Sequence, residues 1–455
     1  MLYHIKKFEH LGGNAAMATQ MKVSRWSRFV ASALLVVGGT LLASFGTAGA
    51  SGARAKSSSV PLTVGVFSSF SGANASFGPE SYDPCLAAAA IVNSDGGVLG
   101  HQLTCKAADS RGDPVDGVPE AHKLASTTSN LVGVIGPDGG TAPTVVPIFG
   151  AAHLPMFPTT GSSEFNRQTD KYFWRVLPPD VATATALAIA AHGAGITRVA
   201  SVFGDAATNE TNIVPFANAF KKLGGKIAIS LVLPSGQPSY STQAAQVLAA
   251  HPQAIVTEAD PQTEATFMKD LQQLTHKLPL IYGTSGTQYA AWTSAVGLAI
   301  GAKLLASIHY TATPFSPFSG VAYKLFKSSL LKTHTSNPAQ FETDIFAMAA
   351  FDTVNIMALA MIEAKSTNPV VYNPFIEKVT ELNAKAVVVN TFAQGKAALA
   401  TGKSIRYVGA TGSVVFNKYH NSPGEFALVK YTTKGASGAV QVVKLISTAE
   451  ISKLS

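Results

Sequence analysis

Charge and cysteine are both scarce in this chain. Of its 455 residues, 13% are Asp, Glu, Lys or Arg, against 47% apolar residues. So little charge argues against a disordered chain, and the length suffices for two domains with a sizeable core. Several motifs are missing as well. IGPDGGTAPT has the glycines of a phosphate loop without its Gly-Lys-Ser/Thr ending. G-x-G-x-x-G is absent after the first apolar run, where VFSSFSG stands. No G-x-S-x-G supplies an elbow nucleophile, and H-E-x-x-H is absent. The eleven histidines, among them His101, His122, His153 and His192, show no metal-ligand spacing. Asp109, Asp113 and Asp116 lack EF-hand spacing and read as a solvated turn. No cofactor is expected, and no lysine or arginine cluster interleaved with aromatics marks a nucleic-acid surface.

The formal charge of +8 is unevenly placed. Residues 1–55 hold six basic residues and one acid, which leaves 28 basic and 25 acidic residues, a net +3, in the rest. Within that segment, Lys22, Arg25 and Arg28 precede an apolar stretch from Phe29 to about Phe45, and small residues follow. This is the pattern of an export signal, with Ala48-Gly-Ala50 or Ala53-Arg-Ala55 as cleavage site. Cleavage is favoured over retention as a membrane anchor, and Met17 or Met21 is a candidate start. An extracytoplasmic location follows, periplasmic or secreted. Cys85 and Cys105 would then meet an oxidising compartment, which favours one disulfide over two separately buried thiols. C-x19-C matches no redox or metal motif.

From Leu62 the apolar pattern alternates strand with helix. PLTVGVF, the run near Leu103 to Ala108, LVGVI and LPMFP read as strands separated by helical segments. Strands apolar on both faces in this order predict a parallel sheet covered by helices. A second series begins near Asp180, with RVASVFG, KIAISLVL, AIVTE and LPLIYG as its strands. Further on come a long apolar helix within residues 337–364, a helix in NTFAQGKAALA, a hairpin entry in IRYVGATGSVVF and two C-terminal strands. The fold class is α/β with two lobes.

Open α/β sheets bind ligands beyond the carboxyl ends of their strands. The candidates are therefore Asp138, Gly139, Gly140 and Thr141 after the third strand, and Thr160, Gly161, Ser162 and Ser163 after the fourth. Glycine turns expose N–H groups and helix N-termini favour an anionic group. On local sequence alone, ordinary capping of tight strand-to-helix bends is the better account of both turns.

The order of VGVFSSFSGANASFG, AAAAIVNSDGGVLGHQLTCKAADSRGDP, LVGVIGPDGGTAPTVVPI, LPMFPTTGSS, FDTV and YVGATGSVVFN resembles the branched-chain-amino-acid type of periplasmic solute-binding protein. The resemblance spans about residues 60–435 and reverses the reading of the two turns. It implies two Rossmann-like lobes joined by three crossing strands, near Pro178, His309 to Pro314, and Phe416 to Glu425. The first lobe would be 60–178 plus 307–415, and the second 179–306 plus 416–455. It implies a monomer that holds a small polar solute and delivers it to ABC permease subunits. The solute carboxylate would meet residues 138–141 and 160–163, with Ser162 supplying a hydroxyl. Gly140 stands where relatives tend to offer serine. In the second lobe, Thr208 replaces a frequent aromatic and Ser285 a frequent acid, so Asp205, Glu258 or Asp260 could take over the ammonium contact, although for each residue singly a helix cap or solvated turn carboxylate is the better account. Tyr289 and Trp292 could line an apolar wall. Transport ranks first, a secreted or anchored sensor second, and a hydrolase a distant third.

Overall fold

The computed structural model describes residues 60–454, apart from 73, 207, 208, 210, 276, 317, 334–337 and 434–439. The expected export signal and its cleavage sites lie outside the described residues, as does Thr208.

The first lobe is built on β1 (Leu62–Ser68), β2 (Leu103–Asp109), β3 (Leu131–Asp138) and β4 (Met156–Thr159), all parallel in the order β2-β1-β3-β4. Every residue of β3 is buried, which explains why its sequence shows no alternation. The helix Phe77–Ser94 covers one face together with Ile345–Ala364. The second of these helices is long and apolar enough to cross a membrane, yet it is nearly all buried in this core. Helices Pro114–Thr127 and Ala142–Ala151 cover the other face. A disulfide joins Cys85, on the first helix, to Cys105 on β2, with Cα atoms 6.2 Å apart.

A small sheet, β10 (Val387–Val389), β11 (Ile405–Gly409) and β12 (Gly412–Ser413), completes this lobe. Asp352, fully buried in the long helix, fastens it. Its carboxylate accepts from Tyr407 Oη at 2.9 Å, the Ala410 and Thr411 amides at 2.9 and 2.8 Å, and Thr411 Oγ1 at 2.6 Å. A Cβ at Gly409 would lie 2.2 Å from Asp352 Oδ1, so the strand can pass only as glycine. The FDTV and YVGATG segments are thus two halves of one contact.

The second lobe contains β5 (Arg198–Gly204), β6 (Lys226–Leu233), β7 (Ala254–Glu258), β8 (Leu280–Gly283), β9 (His309–Pro314), β13 (Phe426–Tyr431) and β14 (Val440–Ile446). The order is β14-β13-β9-β8-β7-β5-β6. The strands β5 to β9 are parallel, and β13 and β14 are added antiparallel. Helices Asp180–Gly193 and Ile213–Lys222 fill one face. Helices Ser241–Ala249, Pro261–Leu274, Ala290–Ile300 and Ala302–Ile308 fill the other.

Three chain passages join the lobes. The first, around Arg175, bridges the third at Asn421: the Arg175 amide donates to His420 O at 2.8 Å, and the Ser422 amide to Arg175 O at 2.9 Å. The Trp174 ring lies over His420 at 3.8 Å. His309–Pro314 belongs wholly to the second sheet, and the second passage follows it. There the Phe315 amide donates to Glu425 O at 2.8 Å, and Ser316 Oγ reaches Ala410 O of the first lobe at 2.6 Å.

Candidate functional site

The carboxyl ends of both sheets face the space between the lobes, and the turns that follow the strands line it. The first-lobe turn after β3 is tightly self-satisfied. Asp138 is 3% exposed. It accepts from Ser69 Oγ at 2.6 Å and Ser110 Oγ at 2.8 Å, which tie it to the ends of β1 and β2. It also accepts from Thr141 Oγ1 at 2.8 Å and the Thr141 amide at 3.3 Å. Asp138 and Thr141 therefore spend their polar atoms on the turn itself. Gly139 and Gly140 present backbone. A Cβ at Gly140 would come within 2.7 Å of the Gly112 carbonyl, which accounts for glycine in place of a hydroxyl residue there.

The turn after β4 is arranged differently. The Thr160 hydroxyl accepts from the Ser162 amide at 3.2 Å. The Gly161 carbonyl accepts from the Asp180 amide at 2.7 Å, and the Ser162 carbonyl from Arg175 Nη1 at 2.9 Å. Ser162 is half-buried and its hydroxyl makes no hydrogen bond to the described residues, so it remains free to meet a solute. Gly161 is packed close: a Cβ would sit 1.8 Å from Asp180 Oδ1.

In the second lobe the candidate acids separate. Asp205 is exposed and bonded to the Ser235 amide at 3.1 Å and to its hydroxyl; these bonds hold its carboxyl below the usual range. Asp260 caps the helix Pro261–Leu274, accepting from the Gln262 and Thr263 amides at 3.1 and 3.0 Å. Glu258 points toward the next turn. It accepts from Thr284 Oγ1 and lies against Gly286, where a Cβ would be 2.2 Å from its Oε1. Burial pushes Glu258 up to about 7, the Thr284 bond opposes this, and the Asp180 carboxyl adds to it. Ser285 begins the short 3-10 turn Ser285–Gln288 beside it and is half-buried.

The structure adds residues that sequence reading missed. Glu80, in the first turn of its helix, interacts electrostatically with Asp344, the N-cap of the long helix, and with Tyr289 of the second lobe. Asp344 accepts from the Phe346 amide at 2.8 Å. Burial, then the Asp344 carboxyl, hold Glu80 well above the usual carboxylate range. The Tyr289 ring lies 6.3 Å from that of Phe346, so this tyrosine spans the lobes instead of only lining a wall. Trp292 is buried in the second lobe, stacked 4.7 Å from His309. Asp344 before an apolar run carried a capping signal. Nothing local in the sequence links it to Glu80 or Tyr289.

Glu80 and Asp344 thus interact with Tyr289 across the lobes, Tyr289 with Glu258, and Glu258 with Asp180 and Thr284, so that these groups form one polar ring. Such a ring can hold a small polar molecule by hydrogen bonds and charge. Among the described residues, no group of three or more His, Cys, Asp or Glu is arranged to hold a metal ion.

Comparison with known proteins agrees with this architecture. Residues 61–435 match the family model described as "Periplasmic binding protein". The chain is similar to the leucine-binding protein LivK of Thermotoga maritima, with TM-score 0.67, 18% identity, and coverage of 85% of this chain and 99% of that one. It is likewise similar to the branched-chain amino acid transporter substrate-binding protein LivJ of Streptococcus pneumoniae, solved with isoleucine (TM-score 0.67, 15% identity, 85% and 99% coverage). A solute-binding protein of an R. palustris ABC transporter, solved with benzoate, gives TM-score 0.62 and 16% identity over 85% of this chain and 96% of that one. No curated protein sequence matches. Two α/β lobes, three passages and a family match over most of the length lead to one conclusion: the chain belongs to the periplasmic binding protein family, as an extracytoplasmic binding protein of clamshell fold.

Proposed function

We propose that this protein is the solute-capturing component of an ABC importer, and that it closes its two lobes on a small polar solute bearing an amine. The observation that carries this reading is the polar ring between the lobes, where Glu80 and Asp344 of one lobe meet Tyr289 and Glu258 of the other. Carboxyls dominate this ring, and a protonated amine is the group that compensates them. The Ser162 hydroxyl and the backbone of Gly139, Gly140 and Gly161 supply neutral hydrogen bonds to the rest of the solute. The importer role draws on the relatives, four of which are named as ABC transporters or transporter substrate-binding proteins.

The mechanism is binding without reaction. A solute that touches both lobes favours the closed state by its differential contact, and a permease then meets that state. The test is thermal melting of protein stripped of solute by unfolding and refolding. The panel covers neutral amino acids, amides, simple amines and aromatic carboxylates. At least one amine-bearing member is expected to raise the melting temperature. A panel in which nothing shifts it, or in which only carboxylates without an amine do, overturns the reading.

A further inference from the structure

Arg175 is wholly buried, and its hydrogen bonds go to neutral acceptors. Nε donates to Asn421 Oδ1 at 2.7 Å, Nη2 to Asn166 Oδ1 at 2.6 Å, and Nη1 to the carbonyls of Ser162 at 2.9 Å and Thr160 at 3.5 Å. Burial brings its pKa down to about 10, and the Asp180 carboxyl partly offsets this. A cation held in the interior is costly, and apolar packing of a crossing strand would be cheaper. The cost indicates a task that apolar side chains cannot perform.

The partners show the task. Asn421 stands on the third passage and Arg175 on the first, and their main chains are already paired. The other partners, Thr160, Ser162 and Asn166, all belong to the turn after β4 and the 3-10 helix Ser163–Arg167. Asn421 reinforces this from its side: its Nδ2 donates to Phe165 O at 3.3 Å and Asn166 O at 3.1 Å. A planar guanidinium can address these directions at once, whereas a lysine ammonium cannot. With its carbonyls turned to Arg175, the turn leaves the Ser162 hydroxyl without a partner.

We propose that Arg175 is a positioning residue that fastens the solute-facing turn Thr160–Ser162 to the passages between the lobes, so that a shift of the turn is a shift of the lobe angle. This rests on the reading that the turn touches solute. Asp180 extends the linkage into the second lobe. Its amide holds Gly161 O at 2.7 Å, and its carboxylate accepts from Thr211 Oγ1 at 2.7 Å.

The test is single-molecule energy transfer on the solute-stripped full chain, with dyes on Lys123→Cys and Lys221→Cys, exposed positions on helices of opposite lobes. Thermal melting is measured alongside. Arg175→Lys is expected to broaden the interlobe distance distribution and move its mean. Asn166→Ala, which removes only a turn-side partner, should do the same to a smaller extent while melting stays close to the parent. It remains decisive if Arg175→Lys does not fold. Lys332→Ala, at an exposed position with no part in these contacts, should keep the parent distribution. Distributions unchanged in Asn166→Ala, and in Arg175→Lys where it folds, would overturn the proposal and leave Arg175 a structural residue only. Failure of the solute panel would instead remove the solute reading and leave this result standing.

Discussion

The two lobes both carry buried acids behind the interlobe space, yet the acids do opposite things. In the first lobe Asp138 sits among four donors, the Ser69 and Ser110 hydroxyls at the ends of β1 and β2 and the hydroxyl and amide of Thr141, and binds β1, β2 and β3 into one edge. In the second, Glu264 is equally buried but accepts from Thr257 Oγ1 at 2.7 Å on one oxygen, while its other oxygen has no partner among the described residues. Burial, opposed by the Thr257 bond and supported by the nearby Asp260 and Glu258 carboxyls, pushes Glu264 up to about 8. Residue type and burial alone do not fix how a carboxyl is bonded: Asp138 is surrounded by donors, and Glu264 is not.

The sharpest way to break this comparison is the same amide swap in both lobes. Asp138→Asn places an NH2 group where only donors converge and should cost about 2–3 kcal/mol, read from urea unfolding. Glu264→Gln should be close to neutral at pH 6, because it replaces a protonated acid. Equal losses at the two positions would defeat the contrast.

The next effect is on pH dependence. Glu258 and Glu264 hold their protons in the folded state up to about 7 and about 8, against an ordinary 4.5. The stability they contribute is full below that ordinary value and is lost as pH rises through the folded values. His309 acts in the other direction. Burial brings it down to about 3 from 6.5, so its contribution is present above 6.5 and lost as pH falls toward 3. Melting temperature should therefore decline between pH 6.5 and pH 9, and Glu264→Gln should flatten that decline. A parent profile that is flat or rising over this range would contradict the assignment.

Two smaller effects sharpen the first-lobe side. Gly140→Ser restores the hydroxyl that relatives tend to carry, but its Cβ must push the Gly112 carbonyl. A loss of about 1–2 kcal/mol is expected by calorimetry, and an unchanged melting temperature would show that the neighbouring turn yields freely. Ser162→Ala should leave melting unchanged and weaken the best solute of the panel roughly 5-fold, as loss of one hydrogen bond does. Titration calorimetry with equal affinity for both proteins would take Ser162 out of the site.

The alternation of strands and helices was legible because strands such as β1, β3 and β7 are mostly apolar runs and several helices start at a visible cap, as at Asp260 and Asp344. The turn residues were legible as positions, since they follow strands. Their roles were not. Asp138 and Thr141 looked like ligand groups, but they bond to each other and to Ser69 and Ser110, a partnership that only the sheet order β2-β1-β3 brings about. Arg175 and Asn421 lie 246 positions apart. No periodicity or spacing rule connects residues at that distance, and the same holds for Glu80 and Asp344.

The sheet of the second lobe carries a further consequence, for the time course of synthesis. β13 pairs with β9, and the whole β10–β12 region of the other lobe is made between them. While that region is being made, β9 stands as an open edge beside β8, able to pair with a foreign strand. Neither lobe is a contiguous stretch of chain, so neither can finish as an independent unit while the other waits. The protein must complete its two halves almost together, in the manner of a slow, long-range fold.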